Sequence, residues 1–199
     1  MTLTSVGEDM RTIVIGIDPA TKTGLCAFDV VGTASHLMAF SEVCYEGPKS
    51  DYGMRLVWFM DKVATFIDRA YNMVGRKDAK ARIYMERPHH RGAAATRYGY
   101  GYDAMVHIVC NQANLLGLET EVTRVHTGTL KKYATGSGTA TKDEMVEAAC
   151  NEMSKVPLEV GDEVILRDKI TDNIADSYFL AKYGAEIVAS EAVPAEELN

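Results

Sequence analysis

Thr12-Ile13-Val14-Ile15-Gly16-Ile17-Asp18-Pro19-Ala20-Thr21-Lys22-Thr23-Gly24 decides the reading of this chain. Ile13, Val14, Ile15 and Ile17 are β-branched and almost uninterrupted, the pattern of a strand covered on both faces. The strand ends on a carboxylate, and a turn punctuated by Pro19 and Gly24 follows at once. One charged oxygen ligand is thereby set at the rim of a sheet. An Asp at a strand end is often only a turn residue, so Asp18 takes its meaning from the rest of the chain.

Downstream, Gly24–Val31 and Ser35–Val43 read as two more strands, with Gly32 in the turn between them. Leu56, Phe59, Val63, Phe66, Ile67 and Tyr71 form one apolar stripe, which predicts a helix over Tyr52–Val74 closed by Gly75. Ala81–Glu86 reads as a short strand stopped by Pro88. A Gly/Ala/Arg/Tyr loop comes next, then a helix from about Asp103 to Leu116 stopped by Gly117. Glu119–Val125 is a strand and Thr127–Tyr133 a short helix. Thr141 and Glu144 match a capping box that opens a helix to about Met153. A polar loop follows from Ser154 to about Lys169. Thr171–Tyr183 is the last helix, with Thr171 as N-cap and Gly184 at its C-terminal end. A meander of strands followed by alternating strands and helices makes an α/β domain with a mixed sheet. The expectation is a single domain over residues 1–199 with frayed tails at about 1–10 and 189–199.

The bulk composition sets the class. A chain of 199 residues, 47% hydrophobic and 25% charged, has the makings of an ordinary globular domain. Its net charge of −7 argues against a non-specific nucleic-acid coat. The charge is unevenly spread, however: Lys80 to Lys142 holds nine Lys/Arg against four acids, a balance of +5. Cys26, Cys44, Cys110 and Cys150 form no CxxC pair, and each is expected to fill core space as a reduced thiol. Met1 to Arg11 carries no apolar signal core, and no apolar run reaches the ~18 residues of a membrane span. The expected location is the cytoplasm of a bacterium or a phage-infected host.

Four acids stand out by position. Asp18 and Glu86 each end a strand, and Asp172 and Asp176 lie at i and i+4 on one helix face. Two like charges at that spacing cost a bare helix a few tenths of a kcal/mol, which a divalent cation between them would offset. Oxygen-only ligation suits Mg²⁺ or Mn²⁺ rather than zinc. Two such ions ~3.5–4 Å apart can activate a water and stabilise the leaving oxygen of a phosphodiester.

Gly16-Ile17-Asp18-Pro19, Glu86 at the end of the fourth strand, Lys131-(x)₄-Gly136-x-Gly138-(x)₃-Lys142 and the helix Asp172-Asn173-Ile174-Ala175-Asp176-Ser177 stand in this order. The ordered set, spanning roughly Ile13 to Tyr183, resembles the RuvC Holliday-junction resolvases, most closely their phage-encoded branch. The resemblance implies an RNase H-like fold, a homodimer, and Mg²⁺-dependent nicking of paired strands at a four-way DNA junction, leaving a 5′-phosphate. It maps the family's acidic tetrad onto Asp18, Glu86, Asp172 and Asp176, with Asp18 bridging two ions. It also places Lys131 and Lys142 near the scissile phosphate, where a cation neutralises developing charge. Lys132 is the neighbouring alternative to Lys131. Bacterial members space the last acids three apart; here that position is Asn173, which remains a candidate ligand or supporting partner.

After Glu86 come Arg87-Pro88-His89-His90-Arg91-Gly92 and Arg97-Tyr98-Gly99-Tyr100-Gly101-Tyr102. Cations interleaved with aromatics and glycines suit a loop that meets phosphates and stacks on unpaired bases. In the resolvase family an aromatic residue three after this Glu enters the junction centre, and His89 holds that position. Arg87, His89, His90, Arg91, Arg97, Tyr98, Tyr100 and Lys132 are the candidate DNA contacts. Gly136-Ser137-Gly138 offers backbone that can approach a phosphate.

The leading expectation is therefore a metal-dependent nuclease for branched double-stranded DNA, without a nucleotide cofactor. Met105, Ile108 and Val109 offer a candidate dimer contact that is equally a core face. Two rivals stand beside it. One is an RNase H-like module that only binds branched DNA or a protein. The other is an actin or sugar-kinase type ATPase, which also begins with a strand, an Asp and a Thr/Gly turn but needs two duplicated halves.

Overall fold

The structure is a computed structural model that describes residues 11–48, 50–75, 79–87, 93–154 and 170–193. Strands β1 (Arg11–Asp18), β2 (Lys22–Val31), β3 (Ala34–Cys44), β4 (Lys80–Glu86) and β5 (Thr120–Val125) form one sheet in the order β3-β2-β1-β4-β5. β1, β2 and β3 pair antiparallel, whereas β1 with β4 and β4 with β5 run parallel. This is the mixed sheet expected from the meander followed by alternation.

The strand pleat sorts β1 into two faces. Ile13, Ile15 and Ile17 join one core with Ala81, Ile83 and Met85, and helices α1 (Tyr52–Val74) and α2 (Ala93–Leu115) cover it. Val14 joins the other with Cys26, Phe28 and Tyr84, beneath α4 (Lys142–Met153) and α5 (Asp172–Glu191). Each fully buried Val, Ile or Phe in these layers contributes roughly 1.5–3 kcal/mol of transfer free energy. The short helix α3 (Thr127–Thr135) links β5 to α4.

Local signals hold where they were read. Phe59, Val63, Phe66, Ile67 and Tyr71 bury the stripe of α1, and Gly75 closes that helix at φ 83°. The Thr141/Glu144 capping box opens α4. Thr171 caps α5 by accepting from the Ile174 amide.

Three expectations are corrected. Helix α2 begins at Ala93, not near Asp103, so Arg97, Tyr98 and Tyr100 ride on a helix rather than a loop. Gly101 is a packing residue there: a Cβ on it would lie 2.0 Å from the Tyr52 hydroxyl oxygen. Helix α5 runs through Gly184 to Glu191, so Gly184 is no stop and residues 189–191 continue the helix. A Cβ at Gly184 would stand 2.3 Å from the Tyr84 ring. Finally, Cys44 is exposed at the end of β3, while Cys26, Cys110 and Cys150 are buried. Most of the polar loop before α5, and both chain ends, lie outside the described residues.

Candidate metal and active site

Alternation along β1 puts Gly16 and Asp18 on the face that carries α5, opposite to Ile17. Alternation along β4 does the same for Tyr84 and Glu86, and Ile17 pairs with Met85 in parallel register. Both acids therefore reach the same end of adjacent parallel strands on the same face. Helix α5 comes close over them because Gly16 of β1 and Gly24 of β2 carry no side chain beneath it. A Cβ at Gly16 would fall 2.0 Å from the Ser177 carbonyl oxygen, and one at Gly24 would fall 1.9 Å from that of Asn173. Gly16 and Gly24 thus let the first turns of α5 rest on the sheet, which carries Asp172 and Asp176 to Asp18.

The electrostatics report this convergence. Burial holds the Asp18 carboxyl well above the usual carboxylate range, reinforced by Asp176, Glu86 and Asp172 and opposed by Lys142. Asp176 is pushed up to about 7, first by burial and then by Glu86 and Asp172, against the pull of Lys142 and Lys131. Asp172 goes the other way: its hydrogen bond from the Lys142 ammonium lowers it. Lys142 is raised by the same bond. Four acids and two lysines from β1, β4, α3, α4 and α5 act on one another.

The two lysines differ in placement. Lys142 is exposed at the start of α4 and reaches across to Asp172. Lys131, on α3, donates to the Ala140 carbonyl at 2.5 Å. Lys132 is exposed in the last turn of the same helix. Gly136 ends α3 in the left-handed region at φ 80°, which accounts for that glycine without a phosphate.

Several residues that the sequence did not single out support these groups. Thr127, at the start of α3, donates its hydroxyl to the Glu86 carboxylate. Glu42 on β3 accepts from the Thr171 hydroxyl at 2.6 Å and from the Asn173 amide at 2.7 Å. The Asn173 side chain is accordingly engaged with Glu42. Arg55 of α1 is buried; its guanidinium stands 4.4 Å from the Tyr98 ring centroid and 3.4 Å from the Thr21 hydroxyl, in the turn after Asp18. No local motif marks these contacts, since each joins residues far apart in sequence.

The candidate DNA contacts divide. Arg87 is exposed directly after Glu86, its amide bonded to the Val125 carbonyl at 2.8 Å. Arg97 and Tyr100 are exposed on α2. Tyr98 is half-buried, packed against Tyr52 with ring centroids 4.9 Å apart. His89, His90 and Arg91 lie outside the described residues.

Among the described residues, no three Asp, Glu, His or Cys side chains close into a finished ligand cluster. Lys142 engages Asp172 and Thr127 engages Glu86, so two of the four acids already hold partners. The donor set nonetheless fits a hard divalent cation. It is all oxygen, and burial followed by mutual repulsion raises Asp18 and Asp176, a cost that a cation would relieve.

No protein-family model matches the sequence, and no curated protein does. Solved structures do match. Thermus thermophilus RuvC in complex with a Holliday junction substrate superposes with a TM-score of 0.61 at 16% identity, covering 90% of this chain and 96% of that one. A second T. thermophilus RuvC structure gives 0.59 at 18% identity, covering 90% and 97%. The yeast mitochondrial Holliday junction resolvase Ydc2 gives 0.52 at 13%, covering 90% and 82%. At these identities the likeness is one of fold: the chain has the RNase H-like fold of the RuvC structures. Among the described residues, no helix is long and apolar enough to cross a membrane.

Proposed function

We propose that this protein is a structure-specific endonuclease that cuts branched double-stranded DNA, four-way junctions foremost, as a homodimer. The observation that carries the reading is the convergence of Asp18, Glu86, Asp172 and Asp176 on one end of β1 and β4, from segments far apart in the chain. A fold shared with RuvC is consistent with it, and folds alone do not fix chemistry.

Asp18, Glu86, Asp172 and Asp176 would hold one or two Mg²⁺ ions, with Mn²⁺ as a substitute. When bound, such ions supply Lewis-acid activation of water and neutralise the phosphodiester in flight. The chain's own residues do the rest. Asp18 lies deepest and presents its carboxylate to Glu86 of β4 and to Asp172 and Asp176 of α5. Thr127 fixes the orientation of Glu86. Lys131 and Lys142 bring positive charge to the scissile phosphate, Lys142 exchanging Asp172 for substrate. Arg87, Arg97, Tyr100 and Lys132 lie on surfaces suited to the DNA backbone and bases. Two equivalent sites related by a two-fold axis would match the two opposed strands of a junction. Within the α2 dimer candidate, Ile108 is exposed and Val109 is buried, so Ile108 is the better contact. No nucleotide cofactor enters this scheme.

The test is cleavage of a synthetic four-way junction in Mg²⁺, set beside linear duplex of the same sequence. Wild-type protein should nick the junction at paired positions. Asp18→Asn should bind the junction and leave it whole. Full cleavage by Asp18→Asn overturns the assignment, and junction binding without cleavage by wild type favours the binding-only module.

A further inference from the structure

Asp18 on β1 pairs with Gly24 on β2, and Gly24 pairs with Glu42 on β3. Directly paired residues share a face, so Asp18, Gly24 and Glu42 form one row across the sheet. At strand spacings of ~4.8 Å the two acids stand roughly 10 Å apart. The first turn of α5 rests in the gap between them, the Asn173 carbonyl lying over Gly24. Its Asp172 and Asp176 turn toward Asp18 and Glu86. Asn173, about 100° further round the helix, turns toward Glu42.

Glu42 is thus a fifth acid beside the cluster, and its partners are the start of α5. One oxygen accepts from both Thr171 and Asn173. Thr171 is the N-cap, so the same hydroxyl that receives the Ile174 amide is itself held from the sheet. Asp29, the other acid of the meander with a side-chain partner, binds Arg11 at the far end of β1.

Building on the nuclease reading, we propose that Glu42 is a positioning residue that sets the rotation of α5, and with it the reach of Asp172 and Asp176 to the metal. Asn173, which occupies the place of an acid in bacterial members of the resolvase family that the sequence resembles, serves here as the handle for that clamp and not as a ligand. A rotation of roughly 20° would carry a carboxylate ~5 Å from the helix axis by roughly 2 Å. Metal–ligand distances tolerate about 0.2 Å. Gly24 permits the helix to settle; Glu42 fixes which way it faces.

The experiment compares the full-length wild type with Glu42→Leu, Glu42→Gln and Asn173→Ala. Three quantities are read: the Mn²⁺ concentration for half-maximal thermal stabilisation, junction affinity in EDTA, and single-turnover cleavage rate. Glu42→Gln keeps a carbonyl acceptor for both donors and should stay within about threefold of wild type. Glu42→Leu should raise the Mn²⁺ requirement about tenfold and slow cleavage by a similar factor, with junction affinity unchanged. Asn173→Ala removes one bond without burying anything new and should show a smaller shift in the same direction. If Glu42→Leu and Asn173→Ala lower the melting temperature but leave the Mn²⁺ requirement at the wild-type value, the proposal is overturned while the nuclease reading stands. If wild type shows neither Mn²⁺ stabilisation nor cleavage, both are overturned.

Discussion

The Lys142 ammonium donates a hydrogen bond to the Asp172 carboxylate, joining the first residue of α4 to the first residue of α5. Lys142 is largely exposed, so the pair adds little to stability; exposed ion pairs contribute ~0–1 kcal/mol. Its role is better sought in charge balance, since Lys142 lowers both Asp18 and Asp176. Lys142→Met should therefore shift the melting temperature by less than about 3 °C for a protein of this size. It should slow junction cleavage by about 10²-fold or more, the scale of losing one preorganised donor at developing charge. A large stability loss with cleavage intact would reverse that assignment.

The acidic cluster makes stability depend on pH in metal-free buffer. Asp176 is pushed up to about 7 from an ordinary 3.8, so the folded protein holds a proton that the unfolded chain has already released. Stability is then greatest at the low end of that window and falls as pH rises from about 4 toward 7. Asp172 carries the opposite sign: its lowered value contributes stability above the ordinary carboxylate range, lost on acidification below it. Melts in EDTA should peak near pH 4 and decline until about pH 7. Asp176→Asn should flatten the decline, and Mg²⁺ should restore the wild-type protein at pH 8. A decline that is identical in Asp176→Asn would place its cause elsewhere.

The same repulsion predicts a trade between stability and activity. Asp18 is held up chiefly by burial and then by three neighbouring acids. Asp18→Asn removes a charge from that setting while keeping shape. The variant should melt higher than wild type in EDTA and lose its response to Mn²⁺. Equal melting curves in EDTA, with cleavage lost, would mean the acids do not strain the metal-free fold.

Much of this arrangement was legible because it is local. The β-branched run Ile13–Ile17, the stripe of α1 and the Thr141/Glu144 box each carry their meaning within a single element. The order of Asp18, Glu86, Asp172 and Asp176 was enough to suggest a shared site. Glycine was the failure. Gly99 and Gly101 suggested a loop and Gly184 a helix end, yet Gly101 and Gly184 sit within helices where a tyrosine of another element comes close. A glycine kept for packing and one kept for a turn look alike in sequence, and only the neighbour distinguishes them. Glu42, Thr127 and Arg55 were missed for a related reason: each acts on a residue from 34 to 131 positions away.

Gly24 offers the sharpest test of how α5 is seated. A Cβ there would meet the Asn173 carbonyl carbon at 2.5 Å and its oxygen at 1.9 Å, backbone atoms that cannot swing aside. Gly24→Ala should lift the first turn of α5 from the sheet. Overpacking of this kind costs ~1–3 kcal/mol or more, so the melting temperature should fall by roughly 5–10 °C. The Mn²⁺ response should weaken with it. At Gly75 nothing lies within 4 Å and only the positive φ of 83° resists a side chain. Gly75→Ala should cost about 1–2 kcal/mol and leave the Mn²⁺ response intact. Equal metal responses in the two variants would separate the seating of α5 from the site.

Along α2, exposed and inward side chains should part company. Arg97 and Tyr100 face solvent, whereas Tyr98 covers Arg55 and packs on Tyr52. Arg97→Ala and Tyr100→Ala should weaken junction binding several-fold while leaving the melting temperature within about 1 °C. For Arg97 the loss should shrink as salt rises, because a phosphate contact releases counterions. For Tyr100 it should depend little on salt, as stacking on a base does. Tyr98→Ala should instead lower the melting temperature, since it opens a buried guanidinium to an empty space beside the Asp18 turn. A gel-shift salt series together with thermal melts distinguishes the three. Binding unchanged in both Arg97→Ala and Tyr100→Ala would remove α2 from the DNA-facing surface.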